Sequence, residues 1–456
     1  MKTYIIVGII LVALVALLAT NKKLVETLKN IYKIEELRQR ILFTLGLLLI
    51  YRLGSFVTLP GVDHSILEQW TQNFANDGSS LMGLLNIFSG GAFSQASIFA
   101  LGVMPYITAS IIIQLLGIMV PYFRKMQREG ESGRRKMNQW TRFLTIAVLL
   151  LQAPAYLATQ VISSGAVVAN GDFLGIANGQ FIVPAVIILI AGTMFIMWLG
   201  EKITDRGIGN GISLIIMIGI LARLPQSFLQ EVLFQTTGGG SIIMLLVELV
   251  FLALVFMLAI AIVQAVRRIP VQYAKRIVGN KQYGGVRQYI PLKLNAANVM
   301  PIIFAQALMF IPGLIWGGQW LDITSFWYNF TLFVLVIAFT YFYTAIIVNP
   351  QMMADDMKRN GGFIPGVKPG KSTVSYIDDI MTRITLPGSV FLAIITVLPA
   401  IAMTLGITQG FAYFFGGTSL LIMVGVVLDT LKQIESYLLM RHYDGLMKTG
   451  RIQGRY

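Results

Sequence analysis

Ten apolar runs, separated by connections that alternate between basic and uncharged, constrain this chain more than any other feature. The runs lie at 41–59, 98–120, 143–161, 181–199, 211–224, 242–266, 299–316, 326–348, 384–407 and 411–431. A hydrocarbon layer of ~30 Å takes about 20 residues of helix, and backbone in lipid must satisfy its hydrogen bonds internally. Thirty-two of the 35 lysines and arginines fall in 21–40, 121–142, 200–210, 264–297, 349–383 and 432–456. The connections 60–97, 153–182, 312–325 and 408–410 carry none, and the exceptions are Lys2, Arg52 and Arg223. By the positive-inside rule the basic connections are cytoplasmic. The expected fold is therefore an all-α, multi-pass membrane protein that crosses ten times between residues 41 and 431, with a cytoplasmic C-terminus.

Composition agrees. The chain is 56% hydrophobic and 12% charged, with a mean hydropathy of +0.73, against about 25% charged residues in soluble domains. It has no cysteine and only two histidines, His64 and His442. That leaves no disulfide framework or thiolate site and little basis for a His-based metal site. The net charge of +14 suits cytoplasmic loops that meet anionic lipid, nucleic acid or an acidic partner.

Three connections are unusual. The second half of 60–97, "LMGLLNIFSGGAFSQASIF", is apolar enough to re-enter the membrane and is broken by Gly90 and Gly91. Non-helical backbone at that depth survives where it lines a buried or wet cavity, and an amphipathic helix on the outer surface is the alternative. Within 264–297, "IPVQYA" reads as a strand, so this basic connection is expected to form a hairpin arm. The third, 349–383, is long and punctuated by "NGGFIPGVKPG".

The stretch "GEKITDRGIGNGIS", 200–213, is not a phosphate loop. Its glycines stand at 207, 209 and 211, both flanks are membrane runs and no Walker lysine follows. It reads instead as a turn whose small residues let backbones pack closely, with Asn210 expected to point into the bundle or a wet cavity.

Several blocks carry a family resemblance. "MWLGEKITDRGIGNGISLII", "NIFSGGAFSQASIFALGVMPYITASIIIQLL", "EGESGRRK", "RRIPVQYAKR", "PLKLNAANVMPIIFAQAL", "DDMKRNGGFIPGVKPG" and "YFFGGTSLLI" resemble the SecY family, the channel subunits of the bacterial Sec protein translocase. They run in family order from about residue 40 to 430. The resemblance implies two inverted five-span halves, at 24–230 and 231–431, followed by a cytoplasmic tail at 432–456. It implies a protein-conducting channel in the bacterial cytoplasmic (inner) membrane, not an enzyme, without cofactor or metal. Implied partners are SecE and SecG, the SecA motor ATPase, the ribosome, polypeptides bearing signal sequences, and membrane lipid. A secondary transporter is the runner-up, but it needs a polar mid-membrane site. A passive scaffold or insertase is a third reading.

Matched motif by motif, the family's aliphatic waist falls on Val103, Ile107, Ile216, Ile303 and Ile422. A hydrophobic constriction resists wetting and so impedes ions. The segment at about 80–97 resembles the plug, with Leu85, Ile87, Phe88, Ser89, Gly90 and Gly91 at its centre. A lateral seam is expected to carry Thr108, Gln114, Gln152, Asn298 and Gln306. For Gln306, packing within its own half is an equal alternative. Cytoplasmic docking residues are Arg267, Arg268, Lys275, Arg276 and Lys281 on one arm, with Lys358, Arg359 and Lys368 on the other. Lys368 departs from the family's usual arginine, keeping the charge but losing the planar fork.

Two features lie outside the resemblance. Residues 1–23 hold an apolar segment, Tyr4–Thr20, expected to form an eleventh span because Lys22, Lys23, Lys29 and Lys33 outweigh Lys2; the alternative is an interfacial helix, but the segment has no polar face. Glu248 stands inside an apolar run, where a lone carboxylate is costly, and Arg223 is the partner expected for it.

Overall fold

The computed structural model describes residues 34–63, 65–67, 86, 89–167, 178–237, 241–273, 276–278, 281–283, 287–316 and 324–449. The expectations for Tyr4–Thr20, Leu85, Ile87, Phe88 and Lys275 lie outside these residues, as do the side chains of Arg276 and Lys281. The chain divides into two compact units, 1–240 with 426–456, and 241–425.

Each apolar run contains a helix, though not always over its whole length. In the first unit these are α1 (Glu35–Gly54), α2 (Met104–Met119), the short amphipathic α3 (Pro121–Arg128) and α4 (Glu131–Tyr156), then α5 (Asn178–Arg206) and α6 (Gly211–Thr237). A π-helical turn, Leu157–Ile162, continues α4. The second unit begins with α7 (Ile242–Gln264) and later holds α8 (Met300–Trp316), α9 (Phe326–Ile347), α10 (Pro350–Arg359), α11 (Lys371–Thr404) and the short α12 (Gln409–Ala412). The last helix, α13 (Gly417–Thr449), starts in the second unit and ends in the first. Among the described residues, seven helices are by themselves long and apolar enough to cross a membrane, and the pair α2–α3, bent by 100°, adds up to one more. The bend falls at Val120–Pro121, since proline lacks the N–H that would continue the ladder.

The second span departs from its apolar run. Helix α2 begins at Met104, with Pro105 in its first turn, where proline's missing N–H costs nothing. Residues 89–103 are turns. They are held by the extended segment that leaves α1: Leu59 N–H donates to Ala96 O at 2.8 Å and Ile98 N–H to Val57 O at 2.9 Å. Phe93 and Ala100 of these turns are buried in one apolar cluster with Leu59, Tyr156, Leu157 and Leu189.

The glycine-rich turn between α5 and α6 is a packing node. Ile208 N–H donates to Thr44 Oγ1 of α1 at 3.1 Å, Gly209 N–H to Gln433 Oε1 of α13 at 2.8 Å, and Gly211 N–H to Thr204 Oγ1 at 2.9 Å. A Cβ on Gly211 would collide with the carbonyl of Gly200. Asn210, expected to point inward, is exposed, and its Oδ1 accepts from Ser213 N–H at 3.4 Å to cap α6. Capping satisfies an N–H that the helix start cannot pair internally.

In the second unit residues 269–273 of the strand-like "IPVQYA" lie in β1 (Val266–Tyr273), antiparallel to β4 (Arg287–Lys293) from Val266↔Lys293 to Gln272↔Arg287. Between them β2 (Arg276–Val278) pairs with β3 (Lys281–Tyr283). The two-residue β5 (Gly362–Phe363) joins the other edge of β1 at Gln272 and Tyr273 only. The lack of an N–H on Pro270 therefore costs no bond on that side. Ile269, Val271, Leu292, Met357, Ile364 and Ile377 form its core. The two basic connections expected as separate arms are thus one folded module, built on the start of α11.

Candidate functional site

One face of α6 organises the site. Ile216, Gly219 and Arg223 recur at helical spacing, i, i+3 and i+7, and so share a face. Gly90 packs against Gly219: with φ of +65°, a Cβ on Gly90 would stand 2.8 Å from the Gly219 Cα. The next residue, Gly91, meets Arg223, whose Nη2 donates to Ser94 Oγ at 3.0 Å. Ser89 lies beside Gly102, 3.8 Å from where a Cβ there would sit, directly before Val103 at the start of α2. The turn 89–94 therefore packs on Gly219 and Gly102, which stand close in the chain to two buried residues matched to the waist: Ile216, one helical turn from Gly219, and Val103, directly after Gly102.

Helix α1 closes the turn from another direction. Arg52 Nη1 donates to the Gly90 carbonyl at 2.8 Å and lies 3.4 Å from Ser55 Oγ, while its guanidinium stacks over the Phe56 ring at 4.6 Å. The Tyr51 hydroxyl is 3.5 Å from the Ser89 carbonyl. From α4, Tyr156 donates its hydroxyl proton to Phe93 O at 2.7 Å. Within the segment, Ser89 Oγ accepts from Phe93 N–H at 3.0 Å and Asn86 Oδ1 from Ser94 N–H at 3.2 Å. A non-helical stretch is thus polar-satisfied by itself and by three helices.

The other matched residues fall as follows. Ile107 and Thr108 are half-buried in the first turns of α2, and Thr108 Oγ1 donates to Met104 O at 3.1 Å. Gln114 is half-buried further along α2, and Gln152 is exposed on α4. In the second unit Ile303 is half-buried on α8 and Ile422 buried on α13. Gln306 accepts from Thr418 Oγ1 at 3.4 Å within that unit. Asn298 is not on a helix: it stands before α8, exposed, with φ of +53°, a left-handed conformation that asparagine tolerates. Arg267 and Arg268 on β1, Lys358 and Arg359 at the end of α10, and Lys368 are all exposed. Arg223, expected to reach Glu248, is found on Ser94; Glu248 is buried on α7.

Sequence reasoning missed Arg52, Ser94, Tyr156 and Gly219 as site residues. The signal for the first was present, because Arg52 and Arg223 both break the alternation of basic and uncharged connections.

The chain is similar to known proteins along most of its length. The SecY family model matches residues 97–431. The protein translocase subunit SecY of Corynebacterium glutamicum is 43% identical over 445 residues, covering 91% of this chain and 98% of its own. A SecY structure described as showing that the plug domain stabilises the closed state of the translocation channel and maintains a membrane seal is similar with a TM-score of 0.56. It is 18% identical, and the match covers 91% of this chain and 94% of that one. Sec61 in a canine ribosome–channel complex from the endoplasmic reticulum matches at a TM-score of 0.51 and 15% identity, over the same shares of the two chains. Matched by the family model over most of its length and by a relative along nearly all of it, the chain belongs to the SecY family.

Proposed function

We propose that this multi-pass membrane protein is the protein-conducting channel of a translocase in the bacterial cytoplasmic membrane. It moves unfolded polypeptides across the membrane and releases hydrophobic segments sideways into lipid. The observation that carries this reading is the packing of the turn 89–94 against Gly219 and Gly102, which stand one helical turn from Ile216 and one residue before Val103, in a chain whose relatives are translocase subunits. In this reading Val103, Ile107, Ile216, Ile303 and Ile422 form the aliphatic waist, and the segment around Gly90 is the plug that rests on it. Thr108, Gln114, Gln152, Asn298 and Gln306 line the seam, held by hydrogen bonds of ~0.6–2 kcal/mol each. A signal sequence can compete with bonds of that size.

Drive comes from a docked partner, because the chain carries no nucleotide-binding motif. The exposed Arg267, Arg268, Lys358, Arg359 and Lys368 share one cytoplasmic module that suits either acidic patches on SecA or ribosomal RNA phosphate; the second contact weakens with salt. Lys275, Arg276 and Lys281 belong to the same basic connection in sequence and are read as docking residues with them. SecE and SecG complete the complex. The test is translocation by proteoliposomes that contain the chain with these subunits and the motor. A secretory precursor should become protease-protected with ATP, and full digestion in the presence of every component would refute the reading.

A further inference from the structure

Two of the three cations that break the topology pattern converge on one turn, and the proposed function uses neither. Arg223 lies near the middle of α6, and Arg52 in the last turn of α1. A guanidinium inside a membrane span is costly and marks function. The polar partners that the structure gives these two are the Gly90 carbonyl and Ser55 hydroxyl for Arg52, and the Ser94 hydroxyl for Arg223. Both therefore spend donors on residues 90–94. A third donor, the buried Tyr156, bonds Phe93 O.

We infer that Arg52, Arg223 and Tyr156 form a three-point latch that holds the segment 90–94 in its seat and so sets the resting closure of the channel. The inference rests on reading that segment as the plug. Its chemistry explains why charge is used here. The acceptors are two backbone carbonyls and one hydroxyl, so the latch recognises mainly the backbone of the segment. Hydrogen bonds from charged donors are about twice as strong as neutral ones, yet each is single and breaks alone. The stacking of Arg52 on Phe56 and its bond to Ser55 keep that guanidinium in place when the segment leaves. Tyr156 sits one helical turn beyond Gln152 on α4. Displacement of that span by a signal sequence would thus pull on Phe93, and opening of the seam would loosen the latch.

The test is single-channel recording of the complex in planar bilayers, without substrate. Arg52→Ala and Arg223→Ala should each raise the resting open probability about ten- to hundredfold, the range for losing a charged hydrogen bond. Arg52→Lys, which keeps the charge and N–H donors but loses the planar fork, should restore most of the seal, and Tyr156→Phe should leak less than either alanine variant. Arg223→Ala combined with Ser94→Ala should leak less than the sum of the two single variants, because both remove the Arg223–Ser94 bond and Ser94→Ala adds only the loss of its bond to Gly91 O within the segment. Copurification of the partner subunits and an unchanged melting temperature in detergent separate a lost latch from a lost fold. Deletion of residues 86–91 is the reference. If the deletion leaks while the arginine variants stay tight, the plug reading stands and the latch is overturned. If the deletion is itself as tight as the parent, the plug reading fails and the latch fails with it. Leak that Arg52→Lys does not reduce would also overturn the latch.

Discussion

Gly90 and Gly219 meet backbone to backbone: a Cβ on Gly90 would lie 2.8 Å from the Cα of Gly219 and 3.2 Å from its carbonyl oxygen. No side chain could occupy that space without moving one segment from the other. The φ of +65° at Gly90 adds a second restriction, since L-residues pay roughly 1–2 kcal/mol in the left-handed region. Two glycines on different elements therefore create one contact, and the contact places the turn on the face of α6 that carries Ile216.

Gly90→Ala should accordingly lift the turn from α6, because the new Cβ overlaps Gly219, whereas it lies at an ordinary 3.4 Å from Arg52 Nη1. Strain and overlap together amount to about 2–4 kcal/mol against the seated state. The resting ion leak in reconstituted bilayers should rise, and precursors with defective signal sequences should be exported more readily. A variant as tight as the parent, with unchanged signal selectivity, would show that the seating is not what closes the channel.

The waist predicts a leak of another kind. Ile107→Asn and Ile216→Asn place amides where a dry constriction is expected, and wetting lowers the barrier to ions. Conductance at rest should increase while the turn 89–94 keeps its bonds to Arg52 and Arg223. Chloride flux from loaded vesicles measures this directly, and flux at the parent's level would remove both residues from the ring.

What could be read from the sequence, and what could not, follows from the range of each interaction. The ten apolar runs and the strand in "IPVQYA" are local properties of composition and alternation, so each appears as an element. The start of α2 at Met104 rather than near residue 98 escapes that reading, because turns bonded to Val57 and Leu59 are as apolar as the helix they precede. The capping role of Asn210 depends on where α6 begins, which composition does not locate. Hardest to read is the pinning of the turn, in which Arg52 reaches 38 residues along the chain and Arg223 reaches 129. Only the oddity of the two charges pointed there. The merging of both basic connections into one sheet is equally non-local, since β5 adds just two residues to β1.

That merged module separates docking from stability. Arg267 and Arg268 are exposed on β1, whereas Ile269 and Val271 on the same strand are buried in its core. Arg267→Glu with Arg268→Glu should change stability by only about 0.5 kcal/mol, yet abolish motor-driven export by reversing the docking charge. Val271→Asp buries an unpaired carboxylate and should unfold the module, at a cost of about 3 kcal/mol or more. Protease sensitivity of residues 264–297 distinguishes the two. Normal export by the double reversal would reduce these charges to topology signals.

The glycine turn between α5 and α6 offers the last prediction, on stability alone. Ile208 N–H and Gly209 N–H are adjacent donors served by side chains from α1 and α13, Thr44 and Gln433. Ile208 is buried, so Thr44→Val leaves a donor without water or partner, costing about 1–3 kcal/mol. Gln433→Leu removes the neighbouring acceptor at a similar or smaller cost. The two substitutions act on consecutive residues of one turn, so their effects should not add: once the first has let the turn relax, the second has less to lose. Gly211→Ala is the control of another kind, since its Cβ collides with the Gly200 carbonyl and forces α5 and α6 apart, at about 1–3 kcal/mol. Thermal unfolding of the complex in detergent should show each single variant melting below the parent and the Thr44–Gln433 double variant melting above the sum of their losses. Strict additivity would mean that the two side chains support α6 independently and that the turn is not a shared node.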